Sequence, residues 1–194
     1  MVIGITGGIG SGKTVILNLL GDKYGFVILE ADKIAKELME KGTAVFGKIA
    51  ECFGNEILDE RGCIDRQKFA AIVFNDKEKL TKLNALVHPS VIEEIDRRIK
   101  MMRADGRENF VIEAALLIES GCHRLCDKVW YIYTEKNIRI ERLKAGRKMT
   151  EKQIADVIKN QLEVTDFERM ADAVIDNSFS IDNTDKQIQK LLEF

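Results

Sequence analysis

Residues 7–14 carry glycines, a lysine and a hydroxyl side chain at the spacing G-x-x-x-x-G-K-T, a pattern suited to binding phosphate. Glycines let the backbone curl around a phosphate with its N–H groups pointing inward, and the helix that follows adds a favourable dipole. Lys13 would reach the β- and γ-phosphates of ATP, and the Thr14 hydroxyl would bind Mg²⁺. We therefore predict a P-loop, whose nucleotide-binding residues are Gly8, Gly10, Ser11, Gly12, Lys13, Thr14 and Val15.

Asp32 is a second candidate for chemistry, because it follows the apolar segment 26–29, which we predict to be the second strand. Ligands of open α/β sheets lie beyond the carboxyl ends of the strands, so Asp32 is expected to share a crevice with the P-loop. A carboxylate there can act as general base by accepting the proton of an acceptor hydroxyl. The alternative is that Asp32 caps a helix beginning near Lys33.

The P-loop alone does not distinguish small-molecule kinases from GTPase switches or motor ATPases. A GTPase is disfavoured because the guanine-selecting tetrapeptide N-K-x-D does not occur in the sequence. From these residues, we predict an ATP-dependent phosphotransferase. Its rivals are a kinase for another small acceptor, such as a nucleoside monophosphate, and a nucleotide-dependent binding switch without an acceptor.

A strongly basic segment, residues 135–152, holds seven Lys or Arg against three Glu. Thr150, with Gln153 three residues later, forms a capping-box pattern that predicts the start of a second helix. The apolar positions of that helix are Ile154, Val157, Ile158 and Leu162. We predict a helical hairpin that closes over phosphates, in which Arg142 neutralises charge in the transition state.

Five short apolar segments alternate with stretches of helical periodicity, which predicts an α/β fold with a five-stranded parallel sheet flanked by helices. The predicted strands are 2–6, 26–29, 110–113, 129–133 and 173–176. About 20 residues join the first two strands, but roughly 80 separate the second and third, which predicts a helical insertion there. Its predicted helices are 34–41, 44–53, 67–74, 77–87 and 90–103.

Composition and hydropathy argue against a nucleic-acid-binding, secreted or membrane-spanning protein. With 30 basic and 32 acidic residues, a net charge of −2 gives no general attraction to nucleic acid or to an anionic membrane. No basic leader precedes the first strand, and no apolar run approaches the ~20 residues that span a bilayer. We expect a cytoplasmic monomer that acts on small molecules. The four cysteines are spaced too loosely for a typical zinc site and are predicted to be free thiols.

Motifs along essentially the whole chain resemble the dephospho-CoA kinase family. They lie at residues 4–13, 31–32, 62–66, 88–89, 116–119, 161 and 171–177. The resemblance implies transfer of a phosphoryl group from MgATP to the ribose 3′-hydroxyl of dephospho-CoA, the last step of coenzyme A synthesis. It also implies a nucleotide-binding core at 1–33, 106–134 and 166–194, a helical acceptor-binding domain at 34–105, and a lid at 135–165.

By position, the resemblance assigns Asp32 as the general base and brings Arg142 and Arg147 from the lid to the ATP phosphates. The residues that it assigns to the acceptor are Asp32, Arg66, His88, Leu116, Leu117 and Glu119. From the residues alone, His88 is also explained as a partly buried histidine held extended by Pro89, and Arg66 as a solvated helix-start residue.

Four positions depart from the family pattern. Glu30 replaces an aspartate, Ala115 replaces a proline, and Phe179 replaces a glycine. In the lid, the second arginine comes one position late, with Gly146 at the expected place and Arg147 after it. The identity of the second lid arginine therefore stays open at the level of sequence.

Overall fold

Five parallel strands form one sheet in the computed structural model, which describes residues 1–147, 150, 153–154 and 170–193. The strands are β1 (Val2–Thr6), β2 (Val27–Glu30), β3 (Phe110–Glu113), β4 (Lys128–Tyr133) and β5 (Ala173–Asp176). Their order across the sheet is β2-β3-β1-β4-β5, and every neighbouring pair is parallel. The predicted fold class is confirmed.

Helices connect the strands and cover the sheet. They are α1 (Lys13–Asn18), α2 (Ala31–Leu38), α3 (Ala44–Phe53), α4 (Arg66–Phe74), α5 (Lys77–Ala104), α6 (Lys136–Arg147) and α7 (Ile181–Leu192). A π-helical turn, Leu19–Lys23, extends α1, and α2 to α5 all lie between β2 and β3. Asp65 and Asp76 cap α4 and α5 by accepting hydrogen bonds from first-turn amides. In the part of the chain described, every helix is too short or too polar to cross a bilayer.

Helix α5 corrects the prediction of two helices separated at Pro89, because it runs unbroken from Lys77 to Ala104 with Pro89 inside it. Pro89 leaves the carbonyl of Ala85 without its helical hydrogen bond, and both residues are solvent-exposed, so water can satisfy this carbonyl. On the opposite side, Val87, Val91, Ile95 and Ile99 are all buried and form one continuous apolar stripe. Packing of this stripe outweighs the local preference of proline to end a helix.

The sheet separates two hydrophobic cores, and adjacent strand residues contribute to opposite ones. In β3, Phe110 and Ile112 pack with the helical insertion, whereas Val111 packs with the core that contains Ile16 of α1 and Ile188 of α7. Both faces of the sheet are therefore covered, as expected for parallel strands.

Arg98 of α5 ties this helix to α2. Its guanidinium lies 2.7 Å from a carboxylate oxygen of Glu94 and 2.7 Å from one of Glu37 in α2. Hydrogen bonds from Arg97 and Arg98 lower the pKa of Glu94 from 4.5 to about 2. A carboxyl group whose pKa is lower in the folded than in the unfolded protein stabilises the fold at pH values above its unfolded-state pKa. This contribution is lost as the pH falls through the folded-state pKa.

We expect Glu94→Gln to lower the free energy of unfolding by about 1–2 kcal/mol at pH 7. This loss is smaller than the free energy that the whole pKa shift of Glu94 would give, because Arg97 is more than half exposed and solvent screens its ion pair. The loss should shrink as pH falls from about 5 toward 2. Urea unfolding across this range measures it, with the neighbouring exposed Glu93→Gln as matched control. A loss independent of pH would contradict the assignment.

Candidate active site

The loop between β1 and α1 has the backbone conformation that its glycines predict. Gly10 and Gly12 adopt φ values of 78° and 79°, a region that other residues enter only at a cost. Gly12 directly precedes α1, and no side chain caps this helix start. The loop therefore offers a curled backbone and uncapped first-turn amides, the combination that favours a bound phosphate. Thr14 is exposed in the first turn of α1, whereas Ser11 is buried.

Lys13 lies inside the curve of the phosphate loop. Its Nζ donates a hydrogen bond to the carbonyl oxygen of Gly7 at 2.8 Å and lies 3.8 Å from Oε1 of Glu113. The side chain is 17% exposed, so a phosphate group can reach it from the solvent side. These contacts hold Lys13 at the loop, and its role toward the β- and γ-phosphates stays a prediction.

Glu113 is a site residue that our sequence analysis missed. It ends β3, and its register partners are Ile5 in β1 and Glu30 in β2. Burial raises the pKa of the Glu113 carboxyl, Lys13 opposes this rise, and the charges of Asp32 and Glu30 add to it. The rule that pointed to Asp32, a carboxylate at the carboxyl end of a predicted strand, would also have found Glu113.

Asp32 is the second residue of α2, which begins at Ala31. Glu30 occupies the N-cap position and makes no side-chain cap hydrogen bond, so the alternative in which Asp32 caps this helix is wrong. The Asp32 carboxylate is exposed, and its charge acts on Glu113, which contacts Lys13. The structure thus brings Asp32 and the phosphate loop to one edge of the sheet.

A small cavity of about 140 Å³ brings together three predicted acceptor residues, Asp32, His88 and Leu116. His88 is half-buried within α5, so the interpretation that Pro89 holds it extended is wrong. Burial lowers the pKa of His88, and the charge of the nearby Glu119 opposes this effect. Because the pKa of His88 is lowered, this cavity is lined by a mainly neutral imidazole at neutral pH.

A larger cavity of about 670 Å³ is lined by α2, α4, α5 and the turn at 59–64. Met39 and Leu83 line both cavities, so the two adjoin and extend from Asp32 to Arg66. The larger cavity combines an apolar wall with a charged rim, which holds four cations (Lys36, Lys41, Arg61 and Arg66) and two carboxylates (Glu40 and Asp59). The Lys41 Nζ also donates a hydrogen bond to the carbonyl oxygen of Arg61 at 2.6 Å.

Leu117 and Glu119, two further predicted acceptor residues, differ in burial. Leu117 is fully buried in the core and packs so closely on β1 that a Cβ on Gly4 would lie 2.8 Å from its Cδ2. Its side chain is therefore a packing element rather than part of a cavity wall. Glu119 is exposed and acts electrostatically on His88.

Helix α6 begins next to the phosphate loop and carries Arg142 toward it. Nη2 of Arg142 donates a hydrogen bond to the carbonyl oxygen of Asn177 at 3.0 Å. Nη1 is buried without an acceptor among the described residues, and a Cβ on Gly12 would lie 3.1 Å from it. A guanidinium with an unsatisfied buried N–H beside a phosphate loop is suited to receiving an anion.

The predicted second lid helix is described only at its start. Thr150 N donates to Oε1 of Gln153 at 2.9 Å, and Gln153 N donates to Oγ1 of Thr150 at 3.4 Å, which is the predicted capping box. Ile154 is buried. The other predicted positions of this helix, Gln161 and the side chain of Arg147 lie outside the described residues.

The residues of the site fit a magnesium ion held mostly by a nucleotide. Among the described residues, no group of three metal-ligating side chains is present. Mg²⁺ typically needs few protein ligands when phosphate oxygens and water complete its shell. The exposed hydroxyl of Thr14 at the start of α1 is suited to that role.

Comparison with known sequences agrees with this geometry. A family model described as dephospho-CoA kinase matches residues 1–183. A dephospho-CoA kinase from Carboxydothermus hydrogenoformans is 37% identical over 192 residues, covering 99% of this chain and 93% of the relative. One from Bacillus licheniformis is 40% identical over 194 residues, covering 100% of this chain and 96% of the relative.

Solved structures extend the comparison. TT1252 from Thermus thermophilus has a TM-score of 0.80 at 26% identity, covering 100% of this chain and 96% of that one. A dephospho-CoA kinase from Campylobacter jejuni has a TM-score of 0.70 at 26% identity, covering 99% and 95%. A shikimate kinase from Bacteroides thetaiotaomicron, with a TM-score of 0.59 at 16% identity, is similar in fold. Because the family model covers most of the chain and both sequence relatives exceed 30% identity over nearly its whole length, the chain belongs to the dephospho-CoA kinase family.

Proposed function

We propose that this protein transfers the γ-phosphoryl group of ATP to the ribose 3′-hydroxyl of dephospho-CoA, giving coenzyme A and ADP. One observation carries the proposal most directly: Asp32 lines the cavity that adjoins the larger one, and its charge acts on Glu113, which contacts Lys13 of the phosphate loop. A base for an alcohol and a cradle for a triphosphate thus lie at the same edge of the sheet.

In this mechanism, the β- and γ-phosphates lie against residues 8–15. As the 3′-hydroxyl oxygen bonds to the γ-phosphorus, its proton passes to the Asp32 carboxylate, and the bond from that phosphorus to the bridging oxygen breaks to release ADP. Lys13 and Arg142, with Arg147 from the lid, would neutralise the charge that spreads over the moving phosphoryl group. When bound through Thr14, Mg²⁺ would neutralise charge on the phosphate oxygens.

The two adjoining cavities suit the parts of dephospho-CoA. The ribose hydroxyl would lie near Asp32 and His88, the diphosphate would pair with the cations of the charged rim, and the pantetheine arm would lie along the apolar wall of the larger cavity. We accordingly propose 34–105 as the acceptor-binding domain and 135–165 as a lid that excludes water on closing.

An ADP-release assay with dephospho-CoA, AMP, CMP and shikimate tests the proposed activity. We expect release stimulated by dephospho-CoA at least tenfold over each other acceptor, because the larger cavity complements a pantetheine arm. Stimulation by AMP or CMP instead would indicate a nucleoside monophosphate kinase. Tight nucleotide binding without stimulation by any acceptor would indicate a binding switch.

We further propose that the enzyme works as a cytoplasmic monomer on small molecules alone. The net charge of −2 supports the restriction to small molecules, because it gives no general attraction to nucleic acid or to an anionic membrane. Sedimentation at working concentration tests the oligomeric state.

Arg66→Ala is expected to raise the KM for dephospho-CoA about tenfold and to change the KM for ATP less than twofold. Arg66 lies on the rim of the larger cavity, away from the phosphate loop, so its loss removes a charge-assisted contact to the acceptor alone. Steady-state kinetics with each substrate varied in turn measures this. Lys68→Ala, on the exposed side of the same helix, is the matched control. Equal increases in both KM values would contradict this role.

A further inference from the structure

The outer side of the phosphate loop is held by side chains from later parts of the chain. Nε of Arg139 in α6 donates a hydrogen bond to the carbonyl oxygen of Ile9 at 3.1 Å. The carbonyl oxygen of Ser11 accepts a hydrogen bond from Nδ2 of Asn177 at 2.8 Å. Oγ1 of Thr134 lies 3.0 Å from the same oxygen and shares its single hydrogen between it and the Tyr133 carbonyl oxygen, which is 2.8 Å away. The peptide groups that follow Ile9 and Ser11 are thus held by α6 and by residues that follow β4 and β5.

These hydrogen bonds determine where the loop amides point. In a trans peptide, the C=O and the following N–H point in opposite directions, and the described peptide bonds are all trans. Holding the Ile9 carbonyl against Arg139 therefore turns the Gly10 N–H away from α6. Holding the Ser11 carbonyl against Asn177 and Thr134 likewise turns the Gly12 N–H to the opposite side of the loop.

The Asn177 side chain, which holds the Ser11 peptide, is itself fixed. Asn177 is 2% exposed, and its Oδ1 accepts a hydrogen bond from Oγ1 of Thr184 at 3.0 Å, which leaves Nδ2 as the group facing Ser11. A Cβ on Gly12 would lie 2.3 Å from this Nδ2. At Gly10, a Cβ would lie 2.9 Å from Leu143 of α6. Neither glycine has room for a side chain, so α6 and Asn177 pack directly against the loop backbone.

We propose that Arg139, Thr134 and Asn177 are positioning residues that preorganise the phosphate-binding amides of Gly10 and Gly12. Amides that already point toward the anion need no reorientation on binding, so their dipoles act at full strength. Arg139 acts in this role through its Nε–H and the peptide that it holds. The inference depends on nucleotide binding at the loop and is independent of which acceptor is phosphorylated.

Two substitutions at Arg139 separate peptide positioning from charge. Gln carries an N–H donor on Cδ, the atom to which Nε of arginine is attached, so Arg139→Gln retains the donor and removes the charge. Arg139→Met removes both. Binding of MgADP is measured by titration calorimetry, and the amide resonances of ¹⁵N-labelled Gly10 and Gly12 by NMR. Lys136→Met, an exposed residue at the start of α6, controls for loss of one positive charge.

We expect Arg139→Met to weaken MgADP binding about tenfold and to shift the Gly10 amide resonance of the free protein, whereas Arg139→Gln and Lys136→Met stay within about threefold of wild type. Equal weakening by Gln and Met would overturn the proposal in favour of a charge effect. Wild-type affinity in both Arg139 variants would also overturn the proposal, because the Ile9 peptide would then keep its orientation without Arg139.

Asn177→Asp provides a second arm, because it replaces the Nδ2 donor by an oxygen that repels the Ser11 carbonyl while keeping the shape of the side chain. We expect weaker MgADP binding and a shifted Gly12 resonance in a variant whose melting curve shows it to be folded. Unchanged ADP affinity in that variant would overturn the role of Asn177, and if the variant does not fold, the Arg139 pair decides the proposal. All arms can be read even if the wild type fails to phosphorylate dephospho-CoA.

Discussion

Asp32→Asn is expected to reduce kcat by about 10²- to 10⁴-fold while leaving MgATP affinity within about twofold of wild type. Asparagine has the shape of aspartate but cannot take the proton of the acceptor hydroxyl. Asp32 is exposed and lines the smaller cavity, so the substitution disturbs neither the core nor a helix cap. Single-turnover kinetics with saturating dephospho-CoA, together with calorimetric titration of nucleotide, separates chemistry from binding.

Glu30→Gln is the matched control for this prediction. Glu30 is an exposed carboxylate two residues before Asp32, at the end of β2, and makes no side-chain cap hydrogen bond. We expect its loss to change kcat less than about threefold. If Glu30→Gln were as impaired as Asp32→Asn, the defect would reflect the local negative field rather than a base. Near-normal turnover of Asp32→Asn would remove Asp32 from the mechanism.

Lys13→Met is expected to lower kcat/KM for ATP by about 10³-fold. The substitution keeps most of the length and apolar stem of lysine, so the loop loses chiefly a cation. That cation lies within reach of a bound triphosphate, next to the carbonyl oxygen of Gly7. Without it, charge that develops on the moving phosphoryl group lacks its closest fixed partner in the loop. Steady-state kinetics in ATP measures the loss.

Removal of Lys13 also has an electrostatic signature at Glu113. Lys13 opposes the rise in the Glu113 pKa that burial causes, so Lys13→Met should raise this pKa further. NMR titration of ¹³C-labelled glutamate side chains in the free protein would detect the change. Lys33→Met, an exposed lysine beside Asp32, should leave both the Glu113 titration and kcat/KM near wild type. An unchanged Glu113 titration in Lys13→Met would contradict the Lys13–Glu113 contact.

Local patterns predicted the phosphate loop and the sheet because they depend on neighbours in sequence. β1, β3 and β5 begin and end where predicted, since each coincides with a short, mostly apolar run of residues with strand propensity. The positive φ of Gly10 and Gly12 likewise follows from residue type and spacing. In contrast, the break predicted at Pro89 was wrong, because the buried stripe that continues α5 is a property of its packing.

By itself, the sequence determined the α/β class, the phosphate loop, and Asp32 at the end of the second strand. The tertiary structure alone decided that Leu117 belongs to the core, that Glu113 faces Lys13, and that two cavities adjoin between Asp32 and Arg66. It also decided that Asn177 holds a loop peptide 166 positions earlier in the chain. The physical reason is range: backbone conformation follows from adjacent residues, whereas burial, charge pairing and cavities follow from residues that folding brings together.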